Sequence, residues 1–370
     1  SDVCSSDLII CQTNCGQVNS KAAERCKEYM RNLAQAAMIT LLSIPKGGNV
    51  LSKFSIDRAK FSGPVLVTGA GGCIGSWVLS LLSKAGIPSC AFDLVEDKRR
   101  PHLLMSESEV AAIQWVTGDI SNTQTVLEKL EAIRPSAIIH LAALQVPFCK
   151  ADPVQGAKVN VVGTVNLFEA ARQLGIKRIS YASSIAAHGA IEEGSGTMRT
   201  LYGAYKYCDE QIARVYSDDW GVHSVGIRPG VVYGVGRDQG LTSTTTVAIL
   251  AAAAGKPYTV PFRGGVSWLH GAEAASAFIH AVAIDQQAAP VYDMNGVYAP
   301  VEEGISILNS IAPNIKIDCQ GETLAFPMHL PDTPLRKFLG DYGTISLNEG
   351  IQQTFQDFRQ LIQRGLVKAP

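Results

Sequence analysis

From Val65 onward the chain alternates short β-branched apolar runs with longer stretches of helical periodicity, and that alternation leaves few folds open. Candidate strands cover 65–68, 89–93, 113–117, 137–141, 179–182 and 224–228, with helices expected near 76–85, 123–133, 159–174 and 202–220. Strands that read as unbroken apolar runs are buried on both faces, as parallel βαβ units bury them. The expected fold class is therefore α/β, with a doubly wound parallel sheet of the Rossmann type. After Tyr233 the alternation loosens into helices near 244–254 and 271–284, short strands near 291–294 and 315–317, and a last helix over about 346–364. This looser part is expected to form a smaller C-terminal substrate-binding cap at the carboxyl ends of the strands.

The regular pattern starts only near Gly63 and Pro64. Residues 1–62 read as an N-terminal appendage, disordered or an artefact of sequence assembly, with one amphipathic helix over 20–42 and a breaker around Pro45. The chain carries 32 Lys+Arg against 33 Asp+Glu, so a net charge of -1 argues against nucleic-acid binding by bulk electrostatics. Its longest apolar run, residues 247–254, is far short of the roughly 20 residues of a membrane span. Four of the nine cysteines, Cys4, Cys11, Cys15 and Cys26, crowd the beginning without paired CxxC spacing, so neither a disulfide framework nor a metal site is expected. The apolar stretch 8–10 is too brief for a secretory signal, and a cytoplasmic setting is expected.

Directly after the first strand comes Thr68-Gly69-Ala70-Gly71-Gly72-Cys73-Ile74-Gly75, running into a helix. Gly69 permits a tight turn, Gly72 lets backbone approach a pyrophosphate, and Gly75 lets the helix pack closely on the sheet. Asp93 ends the second strand 18 residues after Gly75, where a carboxylate accepts hydrogen bonds from ribose hydroxyls and repels a 2'-phosphate. The cofactor expected is NAD rather than NADP, although Arg99 and Arg100 follow closely enough to soften the choice. Asp119, after the third strand, reads either as a residue at the adenine edge or as the cap of the next helix. Residues 63–235 thus read as an NAD-binding Rossmann domain, and 236–370 as mainly the cap, interleaved with it.

Tyr202 and Lys206 stand four apart at the start of a helix, one turn from each other on one face. A free phenol titrates near 10, and an adjacent ammonium favours its phenolate, so the pair suits proton exchange near neutrality. The fifth strand ends in Ser183 and Ser184, whose hydroxyls border the same crevice and can hold a substrate oxygen.

These motifs together resemble an extended short-chain dehydrogenase/reductase of the NAD-dependent epimerase/dehydratase family. The carrying residues are Gly69, Gly72, Gly75, Asp93, Gly118-Asp119-Ile120, His140-Leu141-Ala142-Ala143, Asn160, Ser183-Ser184, Tyr202 with Lys206, and Arg228-Pro229-Gly230. The resemblance implies that Tyr202 is the general acid/base, that Lys206 holds the nicotinamide ribose, and that Ser184 binds the reacting oxygen, with Ser183 as fallback. It also implies that Cys73 and Ile74 give backbone N–H groups to the pyrophosphate. Leu141, Ala142 and Ala143 would line the cofactor, with Asn160, Ile120 and Pro229 beside it. His140 is expected to pack at a strand end, and Cys73 and Cys208 to be small packing residues rather than nucleophiles. Relatives pair the helices near 159–174 and 202–220 in a four-helix contact, so a homodimer is expected.

Departures from the family pattern narrow the reaction. Ser184 is followed by Ile185-Ala186-Ala187-His188, where nucleotide-sugar dehydratases carry an Asp-Glu pair, and Pro229 by Gly230-Val231-Val232, without the asparagine of nucleotide-sugar epimerases. The expectation is hydride transfer from a secondary alcohol of a small polyol or sugar acid, with Arg237 pairing a substrate carboxylate. Arg237 reads equally as a loop-fixing residue, and Arg263 and His270 are further pocket candidates. The alternatives are an NAD-retaining sugar or nucleotide-sugar epimerase and, in another class, a non-catalytic NAD-binding scaffold.

Overall fold

The computed structural model describes residues 50–189, 198–324 and 330–370. The helix expected over 20–42 and the four early cysteines lie outside the described residues. Six strands appear in the expected order: β1 (Val65–Thr68), β2 (Ser89–Asp93), β3 (Gln114–Thr117), β4 (Ala137–His140), β5 (Ile179–Ala182) and β6 (Val225–Pro229). They share one seven-stranded sheet with Val291–Met294, in the order Val291–Met294, β6, β5, β4, β1, β2, β3. Every pairing in it is parallel, with Val65 opposite both Ser89 and Ala137. All four residues of β1 and all four of β4 are buried, which is why both read as unbroken apolar runs. Strand order reverses between β1 and β4, so a crevice opens at their carboxyl ends.

Beyond β6 the chain builds a three-stranded sheet from Val232–Tyr233, Gly265–His270 and Val297–Pro300. A two-stranded sheet joins Tyr258–Val260 to Ile317–Cys319, two residues beyond the expected 315–317. The segment read mainly as cap also gives Val291–Met294 to the main sheet and the helix Gly271–Val282 to its core. That helix is buried along its length apart from His280, because it lies between the sheet and the helix Cys73–Lys84. Trp77 occupies the contact, where a Cβ on Gly271 would fall 2.5 Å from its ring.

The boundary expected at residue 62 cuts through the packed body. Val50, Phe54 and Phe61 are buried in the main core, and a Cβ on Gly343 would meet the Phe54 ring at 2.6 Å. The short helix Val50–Lys53 packs against the last helix, Leu347–Gln363, and Lys53 adds a 2.7 Å ion pair with Glu349. No described helix is long and apolar enough to cross a membrane.

A candidate cofactor and catalytic site

The glycine turn is shaped by what cannot fit in it. Gly69 has φ +65, and a Cβ there would lie 2.7 Å from the Ala142 nitrogen; a Cβ on Gly75 would lie 2.4 Å from the Gly69 carbonyl. Backbone is therefore packed on backbone from β1 to β4. Gly72 caps the helix Cys73–Lys84 without a side-chain hydrogen bond, so the first N–H groups, Cys73 and Ile74 among them, have no side-chain acceptor. A Cβ on Gly72 would meet only the Gly69 carbonyl, at 3.0 Å. This cradle of N–H groups at a helix dipole end fits a dinucleotide pyrophosphate.

Asp93 sits at the mouth of the turn, its Oδ2 accepting from Gly71 N at 3.0 Å and its Oδ1 from Leu94 N at 2.8 Å. Burial raises its carboxyl above the ordinary range, and these two N–H groups oppose the rise. The two arginines that could have favoured a 2'-phosphate are engaged: Arg99 pairs with Asp97 at 2.6 Å, while Arg100 donates to the Gly71 carbonyl at 2.9 Å and to Asp238 at 2.7 Å. Asp119 accepts from the Ser121 N–H and hydroxyl at 2.9 and 2.8 Å, and Asn122 caps the next helix, so the cap reading of Asp119 is replaced by a local turn. Ile120 packs its side chain under Gly163 and gives its carbonyl to Asn166 Nδ2 at 3.0 Å.

Leu141, Ala142 and Ala143 are half-buried beside Gly69, and the N–H groups of Leu141 and Ala142 reach Thr68 Oγ1 at 3.2 and 3.3 Å. Asn160 is fully buried and clamps Leu144, accepting from its N–H at 2.7 Å and donating to its carbonyl at 3.0 Å. It was expected beside the cofactor; with both ends of its amide on Leu144, it shapes the loop that borders the crevice. Pro229 is the buried last residue of β6. His140 is buried between the hydroxyls of Thr68, at 2.7 Å, and Thr164, at 3.2 Å, and burial pushes it down to about 3, so it is neutral. Burial likewise pushes the Cys73 thiol up to about 11 and raises Cys208, which leaves neither a nucleophile.

At the end of β5 the two serines part company. Ser183 is buried and donates to Glu210, which also holds Arg228 through two hydrogen bonds of 2.7 and 2.6 Å. The fallback role for Ser183 is corrected, since its hydroxyl is enclosed in this ion pair. Ser184 is half-buried, and its Oγ accepts from Ala186 N at 3.2 Å, leaving its own proton to donate outward. Thr200 caps the helix Leu201–Trp220, and Tyr202 and Lys206 occupy its first turns. A Cβ on Gly203 would lie 2.5 Å from the Ala186 carbonyl, so the start of that helix rests against the turn that Ser184 opens. Tyr202 is half-buried, whereas Lys206 is buried, donating to the Ala182 carbonyl at 2.7 Å and to Asp209 at 3.3 Å.

Arg237 donates to Thr242 at 3.0 Å, approaches Gln145 at 3.5 Å, and acts electrostatically on the Cys73 thiol. It borders the glycine turn as well as the cap. The other pocket candidates do not reach the crevice: Arg263 pairs with Glu302 at the surface, and His270 is buried, capping the helix Gly271–Val282. Asp209, Glu210 and Gln145 are site neighbours that sequence reasoning passed over. Only Asp209, three residues after Lys206 on the same helix face, carried a readable signal.

Known proteins share this fold. The model of the NAD dependent epimerase/dehydratase family matches residues 65–294. A UDP-glucose 4-epimerase of Azospirillum brasilense is 32% identical over 179 residues, 46% of this chain and 50% of that protein. UDP-glucuronate 4-epimerase 6 of Arabidopsis thaliana is 32% identical over 182 residues, 46% of this chain and 40% of that protein. The chain thus spans about half the length of the curated relatives it matches. Among solved structures, a Thermus thermophilus UDP-glucose 4-epimerase complexed with NAD superposes with a TM-score of 0.67 at 24% identity, covering 80% of this chain and 99% of that one. An L-threonine dehydrogenase of Clostridium difficile gives a TM-score of 0.68 at 18% identity, covering 82% and 99%. With more than half its residues matched by the family model, the chain belongs to the NAD dependent epimerase/dehydratase family.

Proposed function

We propose that the protein is an NAD-dependent oxidoreductase that oxidises a secondary alcohol of a small polyol or sugar acid, with Tyr202 as its acid/base. The observation that carries this reading is the contact of Gly203 with the Ala186 carbonyl, which joins the Tyr202 helix to the Ser184 turn. When bound, NAD supplies a hydride acceptor at its nicotinamide. The N–H groups of Cys73 and Ile74, with Asp93, Leu141, Ala142 and Ala143, would hold it, and Asp119, Ile120 and Pro229 would border it. Tyr202 as phenolate takes the substrate hydroxyl proton, Ser184 donates to that oxygen, and Lys206 favours the phenolate by its charge. Arg237 has a buried Nε without a partner among the described residues, which suits an anionic group of the substrate or cofactor.

The test is NADH release by the full chain across aldonates, uronates and polyols, repeated with Tyr202→Phe. Activity with one class, lost in the variant, is expected; equal release by both proteins sinks the role of Tyr202. A second reading, epimerisation with retained NAD, is supported by the similarity to UDP-sugar 4-epimerases. NAD that survives purification, with no net NADH release, selects that reading over the first. We also propose a homodimer through the helices Gly163–Leu174 and Leu201–Trp220, on which Tyr207, Val215 and Trp220 are exposed. Sedimentation at the mass of one chain refutes it.

A further inference from the structure

Lys206 is enclosed with a carboxylate that the family chemistry does not require. Asp209 is buried, its Oδ2 lies 3.3 Å from Lys206 Nζ, and its Oδ1 is buried without a hydrogen-bond partner. The Thr164 hydroxyl also favours the carboxylate, although its shortest hydrogen bond runs elsewhere. Thr68 Oγ1 accepts from Leu141 and Ala142, so its proton goes to His140 Nδ1. The neutral ring then carries its proton on Nε2 and donates to Thr164, which donates to the Asn160 carbonyl at 2.6 Å. Asp209 therefore has Lys206 as its one charged partner, with the Thr164 hydroxyl beside it also stabilising the carboxylate.

An ammonium has three N–H groups. One goes to the Ala182 carbonyl and one to Asp209, so the direction of the third is fixed. We propose that Asp209 is a positioning residue for Lys206: it fixes the third N–H direction and offsets part of the ammonium charge, and so sets the pH at which Tyr202 exchanges its proton. The inference rests on the reading of Tyr202 as acid/base. Burial also lifts the Asp209 carboxyl to about 6, against the pull of Lys206, so the offset is weakened in mild acid. The groups facing this pair are Glu210, itself held by Arg228, and Cys208 on the same helix, His140 at the end of β4, Tyr181 on β5 and Cys149 before the helix Pro153–Ala157. Asp209 and Glu210 are the anions among them, and Glu210 is already paired.

Tyr202 and Asp209 are seven residues apart on one helix, roughly 10 Å along its axis. Removing a buried negative charge at that distance moves a phenol titration down by about one pH unit. The experiment is tyrosinate absorbance against pH in the full chain, with the Tyr202 contribution taken as the difference from Tyr202→Phe in each background. Asp209→Asn is expected to shift that contribution down by about one unit, and Asp209→Glu to restore most of it. Asp209→Ser, smaller and neutral, replaces the amide variant if that one does not fold. A Tyr202 titration that is unmoved or moves upward overturns the proposal. If Tyr202→Phe removes no resolved titration and leaves turnover intact, the Tyr202 reading has failed; if it abolishes both while Asp209→Asn shifts nothing, only the present inference has.

Discussion

Gly203 stands so close to Ala186 that a Cβ on the glycine would fall 2.5 Å from the alanine carbonyl oxygen. One residue is next to Tyr202 and the other is two beyond Ser184, so their contact sets the spacing of the proposed catalytic pair. Gly203→Ala is expected to lower kcat by about tenfold, because the helix start must move off the serine turn. Affinity for NAD, measured by fluorescence titration, stays within about twofold, since the glycine turn is untouched. Unchanged kcat in the alanine variant refutes this account.

Asp93 meets two backbone N–H groups and, on the proposed reading, the ribose hydroxyls. Asp93→Ser weakens NAD binding by about tenfold or more and narrows the preference over NADP. Dissociation constants for both cofactors decide it, and equal loss for both shows that Asp93 only holds the turn.

Glu210 is buried between Ser183 and Arg228. Glu210→Ala leaves that guanidinium without its main partner and is expected to cost about 3 kcal/mol of stability, less than a fully buried pair can cost because Arg228 also approaches Asp293 at 3.5 Å. Urea unfolding midpoints measure it.

Burial holds His140 neutral down to about 3, well below the ordinary imidazole range near 6.5. Above about pH 6.5 neither folded nor unfolded chain is protonated there, so the group contributes no pH dependence. As pH falls toward about 3 the unfolded chain binds the proton first, and stability declines by up to about 1.4 kcal/mol per unit from this residue. His140→Gln removes that slope. Urea midpoints between about pH 7 and pH 5 should therefore converge in the variant relative to the parent, and parallel curves would falsify the assignment.

Much of the sheet was legible because buried parallel strands leave apolar runs: Val65–Thr68, Ser89–Asp93 and Ile179–Ala182 fall where the sequence places them, whereas the part-buried Val291–Met294 was located but assigned to the cap. The helix Thr123–Ile133 was equally readable, but its cap is Asn122 rather than Asp119, since a short turn around Ser121 intervenes. The glycine turn announced itself by spacing. The attachments of Asn160, Ser183 and Arg237 did not, because each reaches a partner far along the chain, and no local pattern encodes such a meeting. Phe54 and Phe61 were misassigned for the same reason: two aromatics in an irregular stretch have no period, and Phe54 is buried beside Gly343, far along the chain.

Trp77 Nε1 donates to the Val235 carbonyl at 3.0 Å across 158 residues of sequence. During synthesis the glycine turn therefore leaves the ribosome long before the segment that covers its helix. Until then the indole has neither Val235 nor Gly271 to pack on, and the nascent nucleotide site exposes an aromatic side chain that the finished protein hides. A ribosome paused before Val235 would hold a chain with its glycine turn complete and that flank still open.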